Sequence, residues 1–477
     1  MGGLSKKASQ LDTLRHHHHH LLVVDAGGLL FKEAPLPPSQ MEPLQATARG
    51  IITAYNTMGI QAVGVAGQDL AAGIDFLLAV RKESQFPWLS ANLVTRNHAK
   101  LLFAPHTIVP AGDGVRIGII GITGALPRAT PNSPPSAVTL LPWQEVLPNQ
   151  IALLREKTEM LILLSSLPLL ENKRIATAHP EIHLILQSGS GGGNLPPEIF
   201  NNTVITQTEQ QGKQLGLLEV QWNKTSKRWK TGADDNPLLD TRNALDRMEW
   251  QLARIRRQGN PEELFRDQPD ALTNYRNLVE QRETLARQLT SLNAAAPKQP
   301  PADDSSFLSR FVPMTSTVAD HPDVRAIVNK TTQEANLLAK RTVGQGQSIP
   351  TALPAGYGGN AACGNCHQVQ LAKWSASQHA RAYDTLAIKG QQYNAACVPC
   401  HVTGGFAQPA ERLLAVATAL PQVGCETCHG PSSSHAASPS TQRPGQPNKE
   451  ICLQCHTNEH DDNFDFTIDL SRLRCGS

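Results

Sequence analysis

Four copies of one short pattern, CGNCH (363–367), CVPCH (397–401), CETCH (425–429) and CLQCH (452–456), take eight of the nine cysteines, and all lie in the last quarter of the chain. A disulfide scaffold gives no reason for a histidine after every pair, and zinc ribbons pair their CxxC units without requiring one. CxxCH is the attachment signal for c-type haem. Two thioethers tether the porphyrin edge, and the adjacent histidine is held under the iron as its proximal ligand. The pattern assigns Cys363, Cys366, His367, Cys397, Cys400, His401, Cys425, Cys428, His429, Cys452, Cys455 and His456 to four covalent haems c, with the four histidines on iron. With so little chain per haem, the cofactors form most of the local core. Macrocycles packed so closely favour electron transfer from iron to iron. Cys475, the ninth cysteine, is expected either as a free thiol or bonded to a cysteine upstream of Met1.

The segment CGNCHQVQLAKWSASQHARAYDTL, followed by CVPCHVTGG, VGCETCHGPSSSHA and CLQCHT, resembles the tetrahaem cytochromes c that carry electrons in nitrifying bacteria, over about residues 355–465. The resemblance implies distal axial ligands from a W-x-x-S-x-H helix and a C-H-G-P-x-S-x-H stretch. His379, in WSASQH with one residue more between Trp and His, and His435 match those positions. On residues alone, a solvated helix position for His379 and a loop position for His435 stay open. His460, in TNEHDDNFDF, is a third candidate iron ligand by position, with plain surface as its alternative. Beyond residue 355 these three are the histidines outside the motifs, and no methionine follows Met314. Their own domain therefore supplies a sixth ligand to at most three of four irons, and at least one haem is expected to be five-coordinate. His321, in ADHPDV, could reach in from the preceding segment but reads as a helix start.

Residues 1–235 alternate apolar strand-like runs with helical stretches, among them LLVVDAGGLLF, QAVGVAG, VRIGIIGIT, MLILLSSL and IHLILQSG. That is an α/β pattern. With MGIQAVGVAGQDLAAGIDFL and LSANLV, the order of runs resembles the calcineurin-like metallophosphoesterase domain of the 5′-nucleotidase family, which implies a two-sheet sandwich flanked by helices. The family's metal ligands do not carry over. Its Gly-Asp is Gly27-Gly28, and its Gly-Asn-His-Glu is Gly67-Gln68-Asp69-Leu70. The histidine after the MLILLS strand is Ser166, and the Gly-His-x-His turn has Gly189 and Gly191. A two-metal hydrolase needs carboxylate, Asn and His ligands to activate water, so this domain is expected to be a catalytically dead scaffold with no metal besides the haem iron. Asp25, Asp69, His98 and His106 form a weak alternative cluster. The family's first Asp-x-His would precede Met1, which points to a truncated or processed chain.

Residues 236–296 read as a helical hairpin, with Leu238, Leu245, Met248, Leu252 and Ile255 on one stripe and Tyr275, Leu278, Leu285, Leu289 and Leu292 on the other. A surface hairpin and a dimerising coiled coil both fit it. A linker with a strand and a helix follows over 297–354, and residues 355–477 form a mainly α multihaem domain. The whole is a multidomain chain.

Lys plus Arg at 43 against Asp plus Glu at 41 pulls toward neither nucleic acid nor an anionic membrane. The run MLILLSSLPLL is too short to span a bilayer. His16–His20 reads as polar filler at a helix–strand junction, with adventitious metal binding as its alternative. Haem c attachment places the chain in the periplasm or outside the cell, with a signal peptide expected upstream. The leading reading is an exported electron carrier that meets redox partner proteins. An active 5′-nucleotidase-type phosphohydrolase with a redox domain, or a haem reductase of a small nitrogen or sulfur compound, are the alternatives.

Overall fold

The computed structural model describes residues 3–97, 99–128, 137–188, 193–209, 212–229, 241–242, 244–245, 248, 252, 255, 261–266, 269–295, 304–315, 317–344, 353–408, 412–457, 460–461 and 464–473. They belong to two compact units, Met1–Asp234 with Lys298–Thr331 and Asp235–Pro297 with Thr332–Ser477.

The strands of the first unit are β1 (Val24–Asp25), β2 (Ala62–Gly64), β3 (Trp88–Leu89), β4 (Leu93–Thr95), β5 (His106–Pro110), β6 (Arg116–Ile122), β7 (Val138–Leu140), β8 (Met160–Ser165), β9 (Leu184–Gln187), β10 (Leu195–Phe200), β11 (Thr203–Gln207), β12 (Gln214–Gln221) and β13 (Ser306–Pro313). A parallel sheet runs β1-β2-β3 and a mixed sheet runs β10-β11-β9-β8-β6-β5. Two-stranded antiparallel ribbons pair β4 with β7 and β12 with β13.

Alternation in the strands sorts the side chains into layers. In β6 and β8, Ile117, Ile119, Met160, Ile162 and Leu164 share a core with Ala62 and Leu89 of the smaller sheet. Their neighbours Ile120, Ile122, Leu161 and Leu163 face the other way, onto α4 (Trp143–Leu154) and α5 (Leu169–Ala178) through Leu147, Ile151, Leu154 and Ile175. The outer face of the smaller sheet is covered by α1 (Leu4–His17), α2 (Met41–Met58) and α3 (Ile74–Glu83), with Leu11, Ile52, Tyr55, Leu77 and Val80 against Val63 and Trp88. This is the two-sheet sandwich flanked by helices that the phosphoesterase resemblance implies. Two glycines let the sheets close. A Cβ on Gly121 would lie 2.2 Å from the Leu89 carbonyl oxygen, and one on Gly64 would lie 3.1 Å from the Leu164 Cβ. Helix α2 stops at Gly59, whose φ of 61° is the left-handed conformation that glycine takes without a Cβ penalty.

The strand expected after the linker forms as β13 and completes a ribbon in this unit, in continuous register from Gln214↔Pro313 to Gln221↔Ser306. The expected helix spans Pro322–Gly344, and Val324 and Val328 near its start are buried in the core beneath α1–α3. His321 precedes it, with Nε2 3.2 Å from the Asp12 carboxylate.

In the second unit the described residues between 241 and 255 are helical, and helices follow at Pro261–Leu264 and Pro269–Ala295. Tyr275, Leu278, Leu285, Leu289 and Leu292 are half-buried along the long helix, as the stripe predicts. Leu252 is buried and Leu238 lies outside the described residues. From Gly359 onward the described residues form short helices and turns, among which Leu386, Val398, Val402, Leu413, Val416 and Ala417 make an apolar cluster. Among the described residues no helix is long and apolar enough to cross a membrane.

Candidate functional site

Each CxxCH motif is a single helical turn. The His367 and His456 amides donate to the Cys363 and Cys452 carbonyls, both at 2.9 Å. Val398–His401 and Cys425–His429 are helical themselves. A turn of this kind gathers two thiols and an imidazole at one end of a short segment, which is what tethering a planar group over a ligand demands. The eight motif cysteines are unbridged. Burial raises the thiol pKa of Cys363, Cys397 and Cys452, and a hydrogen bond to Cys400, followed by burial, raises that of Cys455. Zinc sites need thiolates, and among the described residues no three His, Cys, Asp or Glu side chains gather to hold a metal ion.

The histidine rings are oriented by what their Nδ1 atoms meet. His401 Nδ1 lies 2.7 Å from the Ala382 carbonyl, His429 Nδ1 2.8 Å from the Gly445 carbonyl, and His435 Nδ1 2.6 Å from the Gln442 carbonyl. A carbonyl only accepts, so Nδ1 carries the proton and Nε2 keeps its lone pair for a metal. His456 differs: its Nδ1 is 2.7 Å from Oδ2 of Asp461, a carboxylate.

Two pairs of rings lie close together. His367 and His435 have centroids 6.2 Å apart, and His379 and His456 have centroids 6.1 Å apart. Two metal–nitrogen bonds of about 2 Å, with about 1.1 Å from each nitrogen to its ring centre, put the rings of a doubly ligated metal about 6.2 Å apart. Both pairs therefore have the spacing that an iron between them requires, each joining a motif histidine to one outside the motifs. The turn that delivers His379 is anchored by Trp374, whose Nε1 donates to the Val423 carbonyl at 2.8 Å, while the Val423 amide donates to the His379 carbonyl. Burial, then the neighbouring His456, lowers the His379 pKa, which favours the neutral, ligating form. His460 is exposed in a turn, its amide donating to the Thr457 carbonyl. Cys475 lies outside the described residues.

One residue that sequence reasoning missed sits inside the third motif. Glu426 is 4 % exposed, and its carboxylate accepts backbone N–H groups from Gly358 (2.9 Å) and Ser432 (2.8 Å) on Oε1 and from Gly359 (2.8 Å) on Oε2. It ties the approach to the first motif to the third. An acidic residue between two cysteines was the available signal. The Cys363 thiol also hydrogen-bonds that of Cys425, bringing the first and third motifs together, and the Cys455 thiol contacts the Cys400 carbonyl at 3.9 Å, bringing the second and fourth together.

In the first unit, Gln68 and Ser166, two positions at which the phosphoesterase resemblance expects metal ligands, line one cavity of about 410 Å3 with Lys32, Glu33 and Gly67. Their neighbours are engaged otherwise. Asp69 is fully buried and accepts the amides of Gly28, Leu30 and Ala66 at 2.9–3.0 Å, and burial raises its pKa to about 6. Asp25 accepts the Tyr55 hydroxyl at 2.8 Å and the Gly27 amide at 2.9 Å. Ser166 Oγ accepts the Gly124 amide. At the ends of β8, β9 and β11, Ser165, Gln187 and Gln207 form, with Asn172 of α5, a buried chain of neutral hydrogen bonds of 2.7–2.9 Å. His106 bonds Gln150, so it does not join Asp25 and Asp69. His98, Gly189 and Gly191 lie outside the described residues.

Residues 362–430 match the family described as cytochrome c554 and c-prime, which implies haem c as the cofactor of this segment. Cytochrome c-554 of Nitrosomonas europaea is 30 % identical over 105 residues, 19 % of this chain and 44 % of that protein. The uncharacterized metallophosphoesterase YunD of Bacillus subtilis is 26 % identical over 150 residues, 30 % of this chain and 31 % of YunD. Among solved structures, the sulfate thiohydrolase SoxB of Thermus thermophilus superposes with a TM-score of 0.47 at 13 % identity, covering 70 % of this chain and 47 % of SoxB. The chain thus spans less than half of each curated relative. It is similar to c554-type cytochromes at its C-terminal end and to calcineurin-like metallophosphoesterases at its N-terminal end.

Proposed function

We propose that the chain is an exported tetrahaem electron carrier whose first unit is a phosphoesterase-like scaffold without hydrolytic chemistry. The observation that carries the reading is the two pairs of neighbouring histidine rings, with centroids 6.2 and 6.1 Å apart, each including the histidine of a CxxCH motif. When bound, haem c supplies one-electron chemistry. Cys363, Cys366, Cys397, Cys400, Cys425, Cys428, Cys452 and Cys455 would tether four haems. His367 with His435, and His456 with His379, would each hold one iron from both sides. His401 and His429 would hold the other two, and His460 is the remaining histidine beyond residue 355 outside the motifs, so at least one iron keeps an open position. The small apolar cluster of Leu386, Val398, Val402, Leu413, Val416 and Ala417 fits a segment whose core is completed by cofactor. Redox partner proteins are implied by the carrier role, and a periplasmic or extracellular site by haem c attachment.

The scaffold reading rests on ligand chemistry. Asp69 and Asp25 spend their oxygens on backbone amides and on Tyr55, and Asp69, Ser166, Gly189 and Gly191 stand where the resemblance expects imidazoles. Two measurements test the whole. Acid–acetone extraction should leave four haems on each chain, and colour lost to the solvent overturns the thioether assignment. Manganese-dependent hydrolysis of nucleotides or bis-phosphate esters that disappears in D25N or D69N overturns the scaffold.

A further inference from the structure

His456 meets a different chemical partner from the other oriented histidines. Nδ1 of His401, His429 and His435 faces backbone carbonyls, whereas that of His456 faces the Asp461 carboxylate at 2.7 Å. The contact is built. Thr457 C=O accepts the amides of both His460 and Asp461, the latter at 2.7 Å, folding the chain after the motif back on the histidine. Phe464 then stacks on the His456 ring, centroids 4.7 Å apart and planes 21° from parallel. The ring is held on one face by Phe464 and at Nδ1 by Asp461, and His379 lies across the site.

A carboxylate accepting the Nδ1 proton gives an imidazole part of the character of an imidazolate, making Nε2 a stronger donor. A stronger donor, with a negative charge close by, favours ferric over ferrous iron. Hydrogen bonding behind an axial ligand is one of the levers by which a protein sets a haem potential. Resting on the haem reading above, we propose that Asp461 is a positioning residue for His456 that lowers the potential of the haem attached at Cys452 and Cys455, making it the last of the four to be reduced. Electrons would then collect on the other three haems, and this one would take part only when a strongly reducing partner meets it or the others are already filled.

The test is a spectroelectrochemical titration of the full-length holoprotein as wild type, D461N, D461E and H379M. In D461N, with four haems retained, the lowest of the four one-electron waves should move to higher potential while the other three stay. D461E, which keeps the carboxylate, should leave that wave low. H379M replaces a ligand across the same iron with thioether, which raises a haem potential, so it should shift that same lowest wave. Unmoved waves in D461N, an equal shift in D461E, or an H379M shift in a wave other than the lowest would each overturn the proposal. If D461N loses the haem, the H379M arm decides alone. Absence of covalent haem from the wild type would instead overturn the underlying haem reading.

Discussion

Replacing Glu426 separates its two carboxylate oxygens. Oε1 accepts Gly358 and Ser432, and Oε2 accepts Gly359. In E426Q the amide oxygen can keep the two bonds of Oε1, but an NH2 group then points at the Gly359 amide, so one bond is lost and two donors face each other. At about 1.5–3 kcal/mol for a hydrogen bond to a charged group, the loss is about 2 kcal/mol. E426A removes both acceptor oxygens and with them all three bonds. Ser432 is buried and its amide is left without a partner, costing about 2 kcal/mol, while water reaches the half-buried Gly358 and Gly359 and limits their share to about 1 kcal/mol each. The alanine variant should lose about 4 kcal/mol, a large part of the 5–15 kcal/mol typical of a domain. Urea unfolding of the holoprotein, followed at the Soret band so that the haem-bearing segment alone is read, checks both values. Equal losses in the two variants would refute the oxygen-by-oxygen account, and losses under 0.5 kcal/mol, on the order of a surface substitution, would refute the anchor itself.

Asp69 gives the first unit a pH signature. Its folded pKa of about 6 lies above the ordinary carboxyl value, so its contribution is complete below about pH 4 and is lost as pH rises to about 6. The loss amounts to about 3 kcal/mol between about pH 4 and pH 6, and D69N should flatten that slope in chemical denaturation of the full chain; parallel slopes for wild type and D69N would contradict it. The histidine count predicts that the dithionite-reduced protein binds carbon monoxide at one or more haems, with a Soret shift covering about a quarter to a half of the band. H460A should not reduce that fraction, and a protein with no shift would require a ligand from outside the described set.

The motif chemistry was legible because thioether attachment fixes residue type and spacing within five positions, and so was the layering of β6 and β8, where Ile117 to Ile122 alternate between two cores. The partners of His367 and His456 were not. His435 and His379 come to them through turns anchored by Trp374 on Val423 and by Glu426 on Gly358, Gly359 and Ser432; the anchoring side chains stand in WSASQH and CETCH, but the backbone groups they meet leave no pattern in residue type. The same limit hid Asp461, which lies in an acidic stretch that reads as solvated surface until Thr457 turns it inward. Loss of the phosphoesterase ligands was readable as substitutions, but the neutral Ser165–Asn172–Gln187–Gln207 chain beside Ser166 joins residues spread over forty-odd positions and needed the fold to bring them together.

The ribbon of β12 and β13 has a bearing on how the chain is made. Gln221 and Ser306, which close it, are 85 residues apart in sequence yet hydrogen-bonded neighbours. During synthesis β12 leaves the ribosome long before its partner exists. At about 5–20 residues per second the wait is on the order of 10 s. Through that interval a strand carrying Leu215, Leu217 and Leu218 has an open edge, and a nascent chain in that state is a client for a chaperone. Between the two strands, residues 222–229 still belong to the sandwich, where Trp229 is 1 % exposed in the core, whereas Asp235–Pro297 belong to the second unit. A short linker joining Asp234 to Lys298, which keeps Trp222 and Trp229, should shorten that wait and would show whether residues 235–297 matter to the folding of the first unit.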